Sequence, residues 1–209
     1  MDDLHVPGPD DVVAAAETAY ALFATLAGLD WSATAGELDW DCRQTLEHVT
    51  TVQIFLASNA ANQTRSRLPG ARANNPEQSI AELVTVHRAL ANVLAAVLRS
   101  MPEDARGFHP AGLADRHGFA AMACTETLVH AYDIAQGLGL DFEPPPDIVA
   151  KALARLFPWV QDEGDPWQAL LYATGRQALG DRERQAPNWW WHCAPLSEWD
   201  GTVKVRPPA

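Results

Sequence analysis

The sequence predicts an all-α protein, a bundle of four long helices with additional short C-terminal helices and a tail. Three observations lead there. Apolar residues recur at 3.6-residue spacing over four long segments. Breaks bearing Pro or Gly separate those segments. Ala dominates Val, Ile and the aromatics among the 47% of apolar residues, a composition that favours helix over sheet. At 209 residues the chain suits one ordinary domain with an appendage and a substantial core. The expected division is a helical bundle over 1–140 and a helical extension with a Trp-rich tail over 141–209, packed on the bundle.

In chain order, Pro7-Gly8-Pro9 reads as a loop and Asp10 or Asp11 as the N-cap of a first helix over about 11–28. Val12, Ala16, Tyr20, Phe23 and Ala27 share one face of it, and Gly28 stands as its stop. After a linker with Trp31 and Trp40, Asp39 or Asp41 caps a second helix running to about 67, before the breaker Leu68-Pro69-Gly70. Its apolar stripe holds Thr45, His48, Val49, Val52, Phe55, Leu56 and Asn59. The loop 69–76 is expected to cross an end of the bundle. A third helix over about 77–100 has the most continuous apolar face, including Leu83, Val84, His87, Leu94 and Leu98. A loop over 101–115 contains His109 and Pro110 and leads past Arg116 and His117 into a fourth helix, about 117–138, closed by Gly137-Leu138-Gly139. Pro144-Pro145-Pro146 precedes a fifth helix over about 147–157, and Asp165-Pro166 opens a sixth over about 166–179. Trp189, Trp190 and Trp191 cannot all be buried by one regular element, so one is expected over a bundle end and another in a pocket wall. Thr202 to Val205 reads as a short strand.

Charge and composition exclude several functions. Fifteen Lys and Arg against 27 Asp and Glu give a net charge of −12, which repels nucleic acid and anionic membranes. The first thirty residues hold neither a basic n-region nor an apolar h-region, and nowhere do 18 apolar residues run consecutively. A soluble, cytoplasmic protein acting on a small molecule is expected, with a homodimer left open. Cys42, Cys124 and Cys193 are far apart with no CxxC spacing, which argues against a disulfide framework and against a thiolate-rich zinc site. No Gly-rich phosphate loop or GxSxG elbow occurs.

The fourth helix carries the chemistry. Glu126, His130 and Asp133 fall at i, i+4 and i+7 on one face, beside Phe119, Met122 and Ala123. Ionisable groups on a stripe that enters a core must be paired or bind a metal, because an unpaired buried charge costs several kcal/mol or more. Glu and His one turn apart can share a divalent ion, as ligands do in other helical bundles. A buried Glu–His hydrogen bond is the plain alternative. Cys124 lies about 200° round the helix from Glu126 and should point elsewhere. His48 supplies a third candidate ligand, unless it is a core histidine with a hydrogen-bonded neighbour. His87 is read as packed rather than ligating. Asp133 would orient a ligand imidazole, or be a surface charge near the helix end.

Trp40, the cap at Asp41, Leu46-Glu47-His48, and then Glu126-xxx-His130-xx-Asp133 resemble, in order and spacing, the DinB-like metal-binding superfamily. The branch they resemble is that of the mycothiol-dependent maleylpyruvate isomerase. The likeness spans roughly residues 10–140, and Thr174-Gly175-Arg176 is similar to a late motif of that branch. It implies a four-helix DinB-like bundle and a divalent metal, zinc or nickel, held by His48, Glu126 and His130. It also implies mycothiol or another low-molecular-weight thiol as cosubstrate. The tail is shorter than the isomerase's C-terminal domain, so the resemblance leaves the substrate open.

Two imidazoles and one carboxylate leave a zinc-like ion with an open position, which is typical of catalytic sites. Thiol-dependent isomerisation or S-transfer on a small electrophile is the first functional reading. A metal hydrolase or lyase-type enzyme using bound water is the second, and a noncatalytic metal-binding bundle the third. Arg176 is the candidate for a substrate or cofactor carboxylate, since a guanidinium binds one bidentately; an interhelical salt bridge is its alternative.

Overall fold

The computed structural model describes residues 6–68, 77–160 and 164–206. Six α-helices dominate: α1 Pro9–Leu26, α2 Cys42–Asn62, α3 Ile80–Ser100, α4 Arg116–Gly137, α5 Pro146–Leu156 and α6 Pro166–Ala173. A two-stranded antiparallel hairpin, β1 Gly107–His109 with β2 Gly112–Ala114, sits between α3 and α4. The fold is mainly helical, in line with the expected class. Helices α1 and α2 each pack against both α3 and α4, so the pairs α1/α2 and α3/α4 face one another across the group; α5 packs on α4 and carries α6.

Local chemistry sets most boundaries. The α2 and α3 N-termini are closed by reciprocal caps. Asp41 accepts from the Gln44 N–H at 2.6 Å while Gln44 accepts from the Asp41 N–H at 3.1 Å. Ser79 and Glu82 form the matching pair at α3. The cap of α1 is Gly8 rather than Asp10 or Asp11: Pro9 takes the first helical position, and Asp11 reaches back to accept from the Gly8 N–H at 2.8 Å. Helix α2 ends at Asn62, five residues before the expected Arg67, because Gln63 turns into the left-handed region at φ 50° and donates to the Asn59 carbonyl. Leu68 is described, but the rest of the proposed breaker and the loop 69–76 lie outside the described residues. Helix α6 ends at Ala173 rather than near 179. Gly175 adopts φ 70°, and its N–H and that of Arg176 donate to the carbonyls of Tyr172 and Leu171, at 2.9 and 2.7 Å. This is a Schellman stop, which caps the helix and fixes the direction in which Arg176 leaves it. The expected strand over 202–205 is reduced to an isolated bridge between Trp189 and Val205.

Helix α4 is the axis of the protein. Of its 22 residues, 16 are buried, and a helix enclosed all round belongs at the centre of a fold. A buried bond from the Gln53 amide to the Thr127 hydroxyl, 3.0 Å, sets α2 in register with it. The extension continues the same core: Ile148, Val149, Leu156, Leu170, Trp191 and Cys193 join Leu94, Phe119, Met122 and Leu128 in one apolar cluster. Arg155, 2% exposed, fastens the tail to the start of α4. Its guanidinium donates to Asp115 at 2.7 Å and to the His192 and Cys193 carbonyls at 3.2 and 3.1 Å. Asp115 in turn caps α4 by accepting from the Gly118 N–H at 2.6 Å. Helix α3, with mean hydropathy 1.5 over its most apolar window, is long and apolar enough to cross a membrane by length and composition; here one face of it packs on α1 and α2.

Candidate metal centre

The buried run of α4 carries Glu126 and His130 one turn apart, and α2, held alongside, brings His48 to the same point. The His130 Nε2 and His48 Nε2 atoms lie 3.2 and 3.5 Å from Glu126 Oε2. Ligating atoms of all three residues fall within 4.8 Å of one another. Donors about 2.0–2.1 Å from a tetrahedral zinc stand roughly 3.3 Å apart, close to the two nitrogen–oxygen separations here. His48 is not a core histidine. Its side chain is 35% exposed, and its ring lies 4.8 Å from that of Trp40 and 5.1 Å from that of His130. Glu47, its sequence neighbour, pairs with Arg43 at 2.9 Å.

Asp133 and Arg176 back the trio from behind. His130 Nδ1 is 2.9 Å from Asp133 Oδ2. An ionised carboxylate only accepts, so Nδ1 carries a proton and Nε2 is the nitrogen turned towards the ligand set. Arg176 holds Asp133 with two parallel bonds, Nε to Oδ1 at 3.2 Å and Nη2 to Oδ2 at 2.7 Å, and Nη1 donates to the Thr174 carbonyl at 2.8 Å. Asp133 is therefore neither a surface charge nor a direct member of the trio. Arg176, just beyond α6, makes an ion pair with α4, so it is a salt bridge that engages this guanidinium, though not one between two helices.

The electrostatics follow from these contacts. Burial opposes ionisation of Glu126, but hydrogen bonds from His130 and His48 outweigh it and hold the carboxyl well below its usual range. Burial likewise disfavours the His130 imidazolium, yet Asp133 and Glu126 raise its pKa to about 9. Asp133 is lowered against burial by His130 and Arg176. The protein thus presents two carboxylates arranged to stabilise a cation at His130, and a dication held by Nε2 and Glu126 would take the place of that proton.

The trio opens into a cavity of about 520 Å³ walled by Leu38, Trp40, Val129, Pro110 and the run Trp189, Trp190 and Trp191. A second cavity of about 720 Å³, more polar, meets it at Leu38, Thr174, Arg176 and Trp189. Trp191 is buried while Trp189 and Trp190 are half-buried, and all three line this cavity, in line with the pocket wall expected of the run.

Two cavity residues escaped sequence reasoning. His109 stands at the tip of the hairpin, in a stretch read as plain loop. The Ala111 N–H donates to its Nδ1 at 3.0 Å, so the proton of the neutral ring is on Nε2. Burial lowers its pKa to about 4, with Glu126 opposing and Arg206 reinforcing. Pro110 and Gly112 at the second and fourth positions of the turn were the signal available. Arg206, three residues from the end, lines the same cavity and packs over Trp190 at 5.0 Å; nothing in its local sequence announces this.

Other candidates fall elsewhere. His87 is buried, with Nε2 lacking a partner. Cys42, Cys124 and Cys193 are buried free thiols. His117 meets the Pro7 carbonyl at 2.9 Å and Arg116 pairs with Glu103. Comparison of the chain with known protein families, with curated proteins and with solved structures gives no match.

Proposed function

We propose that this protein is a divalent-metal enzyme of the DinB-like bundle type, in which His48, Glu126 and His130 hold the ion. A low-molecular-weight thiol, mycothiol by resemblance, would react there with a small electrophile by isomerisation or S-transfer. The observation that carries the reading is the convergence of one carboxylate and two imidazoles from α2 and α4 at the wall of an open cavity. Three protein ligands are the complement of a catalytic zinc site, and nickel accepts the same donors. A bound dication supplies Lewis acidity, lowering the pKa of a coordinated thiol or water towards neutrality.

The chain's own groups do the rest. Asp133 keeps the proton on His130 Nδ1 and so keeps Nε2 available. Arg176 fixes Asp133 and neutralises its charge, which leaves Glu126 as the one uncompensated anion facing a metal. Trp40 and the Trp189–Trp191 run give the substrate side an aromatic wall, beside which the thiolate would add to conjugated carbon. In an isomerisation the added thiolate makes a double bond single, permits rotation and leaves; in a transfer it stays attached. The charge of −12 fits a small-molecule substrate rather than nucleic acid or an anionic membrane, and we place the protein in the cytoplasm.

Elemental analysis of the purified protein, followed by turnover with and without mycothiol on a panel of unsaturated electrophiles, tests this reading. Metal at one equivalent and thiol-dependent turnover lost in Glu126→Ala are expected. Turnover indifferent to thiol would replace the thiol by water, and absence of metal binding would leave a noncatalytic bundle.

A further inference from the structure

Helix α3 is covered on one side only. It packs on α1 and α2, yet only 33% of its most apolar window, of mean hydropathy 1.5, is buried. A helix of that composition is normally enclosed. On its outward side Thr85, Ala89, Asn92, Val93, Ala96 and Ser100 are exposed, Val93 by 52%. Val86, Leu90 and Val97 are half-buried beside them. No element among the described residues covers this side, and an apolar helix face left in water marks a docking surface.

Charge selects the occupant. The chain carries −12, so two copies repel one another wherever acidic surface meets acidic surface. Helix α3 is the exception. Glu82 is its only carboxylate, and that group accepts in the first turn from the Ser79 N–H and hydroxyl at 2.9 and 2.7 Å. Its two guanidinia are paired with α1, Arg88 with Glu17 at 3.6 Å and Arg99 with Asp10 at 2.6 Å. From Leu83 to Leu98 the outward side therefore carries no uncompensated charge, and a second copy of the same acidic chain can approach it there.

The exposed positions are also self-complementary. The six are spaced symmetrically about the midpoint of Asn92 and Val93. A two-fold axis through that midpoint, perpendicular to the helix, generates an antiparallel copy in which Thr85 meets Ser100, Ala89 meets Ala96 and Asn92 meets Val93. Each contact then occurs twice, as an isologous interface requires. Alanine at both positions of the inner pair lets the helix axes approach to about 8 Å, the near end of helix packing distances. Asn92 already donates to the Arg88 carbonyl at 2.9 Å, so it enters the contact with that N–H satisfied.

We infer that the outward side of α3 is an interface between two copies of this chain, antiparallel about a two-fold axis through Asn92 and Val93. The pairing is independent of the metal reading. It leaves the cavity beside the trio open, since α3 contributes no residue to its wall. A helix of 21 residues is about 32 Å long. One such pair buries less than the roughly 1,600 Å² of a standard interface, so the dimer should be a weak one that dissociates in the micromolar range.

Sedimentation velocity of the full-length protein from about 1 to 200 µM tests this. The mass should rise with concentration from the 22.8 kDa of one chain towards twice that value. Ala96→Glu should raise the dissociation constant by about tenfold or more, because it places two carboxylates per dimer in a dry contact. Adding Ala89→Lys to it should restore association, since antiparallel pairing sets each lysine against the glutamate of the other copy, whereas parallel pairing sets like against like. Both positions are exposed, so the variants keep the fold, checked by an unchanged melting temperature in dilute solution. A single species of 22.8 kDa over the whole range would overturn the inference, as would a dimer indifferent to Ala96→Glu, whose contact would lie elsewhere. Failure of the double variant to reassociate would overturn the antiparallel arrangement. Flotation of a monomeric protein with phosphatidylcholine vesicles, lost in Ala96→Glu, would assign the face to lipid instead.

Discussion

Asp133 serves two neighbours, an imidazole on its own helix and a guanidinium just beyond α6, and both depend on its ionised form. Replacing it by Asn keeps the shape but lets the amide donate to His130 Nδ1, which would move the imidazole proton to Nε2 and block the ligand lone pair. Zinc affinity should fall by about 10–100-fold with helicity intact, measured by competition with a chromophoric chelator; His130→Ala should abolish binding on the same scale. At His87 the expected effect is on stability. Burial holds the ring neutral, with a pKa of about 4 against 6.5 for the free group. Between those values only the unfolded chain takes up the proton, so stability falls as pH drops through that window, by up to about 3 kcal/mol, and this group adds nothing further below it. Urea titrations at pH 7 and pH 4.5 should show the fall, and His87→Leu should flatten it. Glu126, His130 and Asp133 were legible in the sequence because one helix fixes their common face. The partner of Asp133 was not, since an ion pair between elements leaves no periodic trace.

Elements were legible where caps and periodicity agree, as at Asp41, and illegible where a single backbone conformation decides, as at Gln63 and Gly175. Gly175 shows the energetic side. A Cβ added there would meet Trp189 Cδ1 at 3.0 Å on a residue with φ 70°, so Gly175→Ala should cost about 1–3 kcal/mol and loosen Arg176 from Asp133. Denaturant unfolding reads the first effect and zinc affinity the second. The α4 start is more demanding: a Cβ at Gly118 would lie 2.1 Å from the Cys193 carbonyl oxygen, so the tail approaches the helix backbone as closely as only glycine permits. Arg155→Met removes the cation from that junction and leaves Asp115 buried without its ion-pair partner. It should destabilise by about 3–5 kcal/mol, seen as a lowered urea midpoint with slope unchanged.

At the scale of the molecule, one apolar cluster runs from Val12 to Cys193, so the bundle and the extension should melt in a single calorimetric transition rather than in two steps. Residues 1–140 alone would expose the face of α4 that α5 covers. The helical class was readable from composition and spacing, whereas the way the tail folds back over the cavity was not, because Trp189 and Arg206 are brought to it only by backbone contacts between two segments of the tail. The ligand set has a topological consequence. His48 belongs to α2 and its partners to α4, with all of α3 between them along the chain. An ion gripped by these side chains is a removable cross-link closing a long loop, which restricts the unfolded chain wherever its ligands stay attached and, by mass action, favours the folded one. At a hundredfold excess over its dissociation constant the gain is about 2.7 kcal/mol. The melting temperature should therefore climb with zinc concentration in the wild type and stay flat in His48→Ala, and amide exchange should slow in α2 and α4 together, as two pages held by one staple.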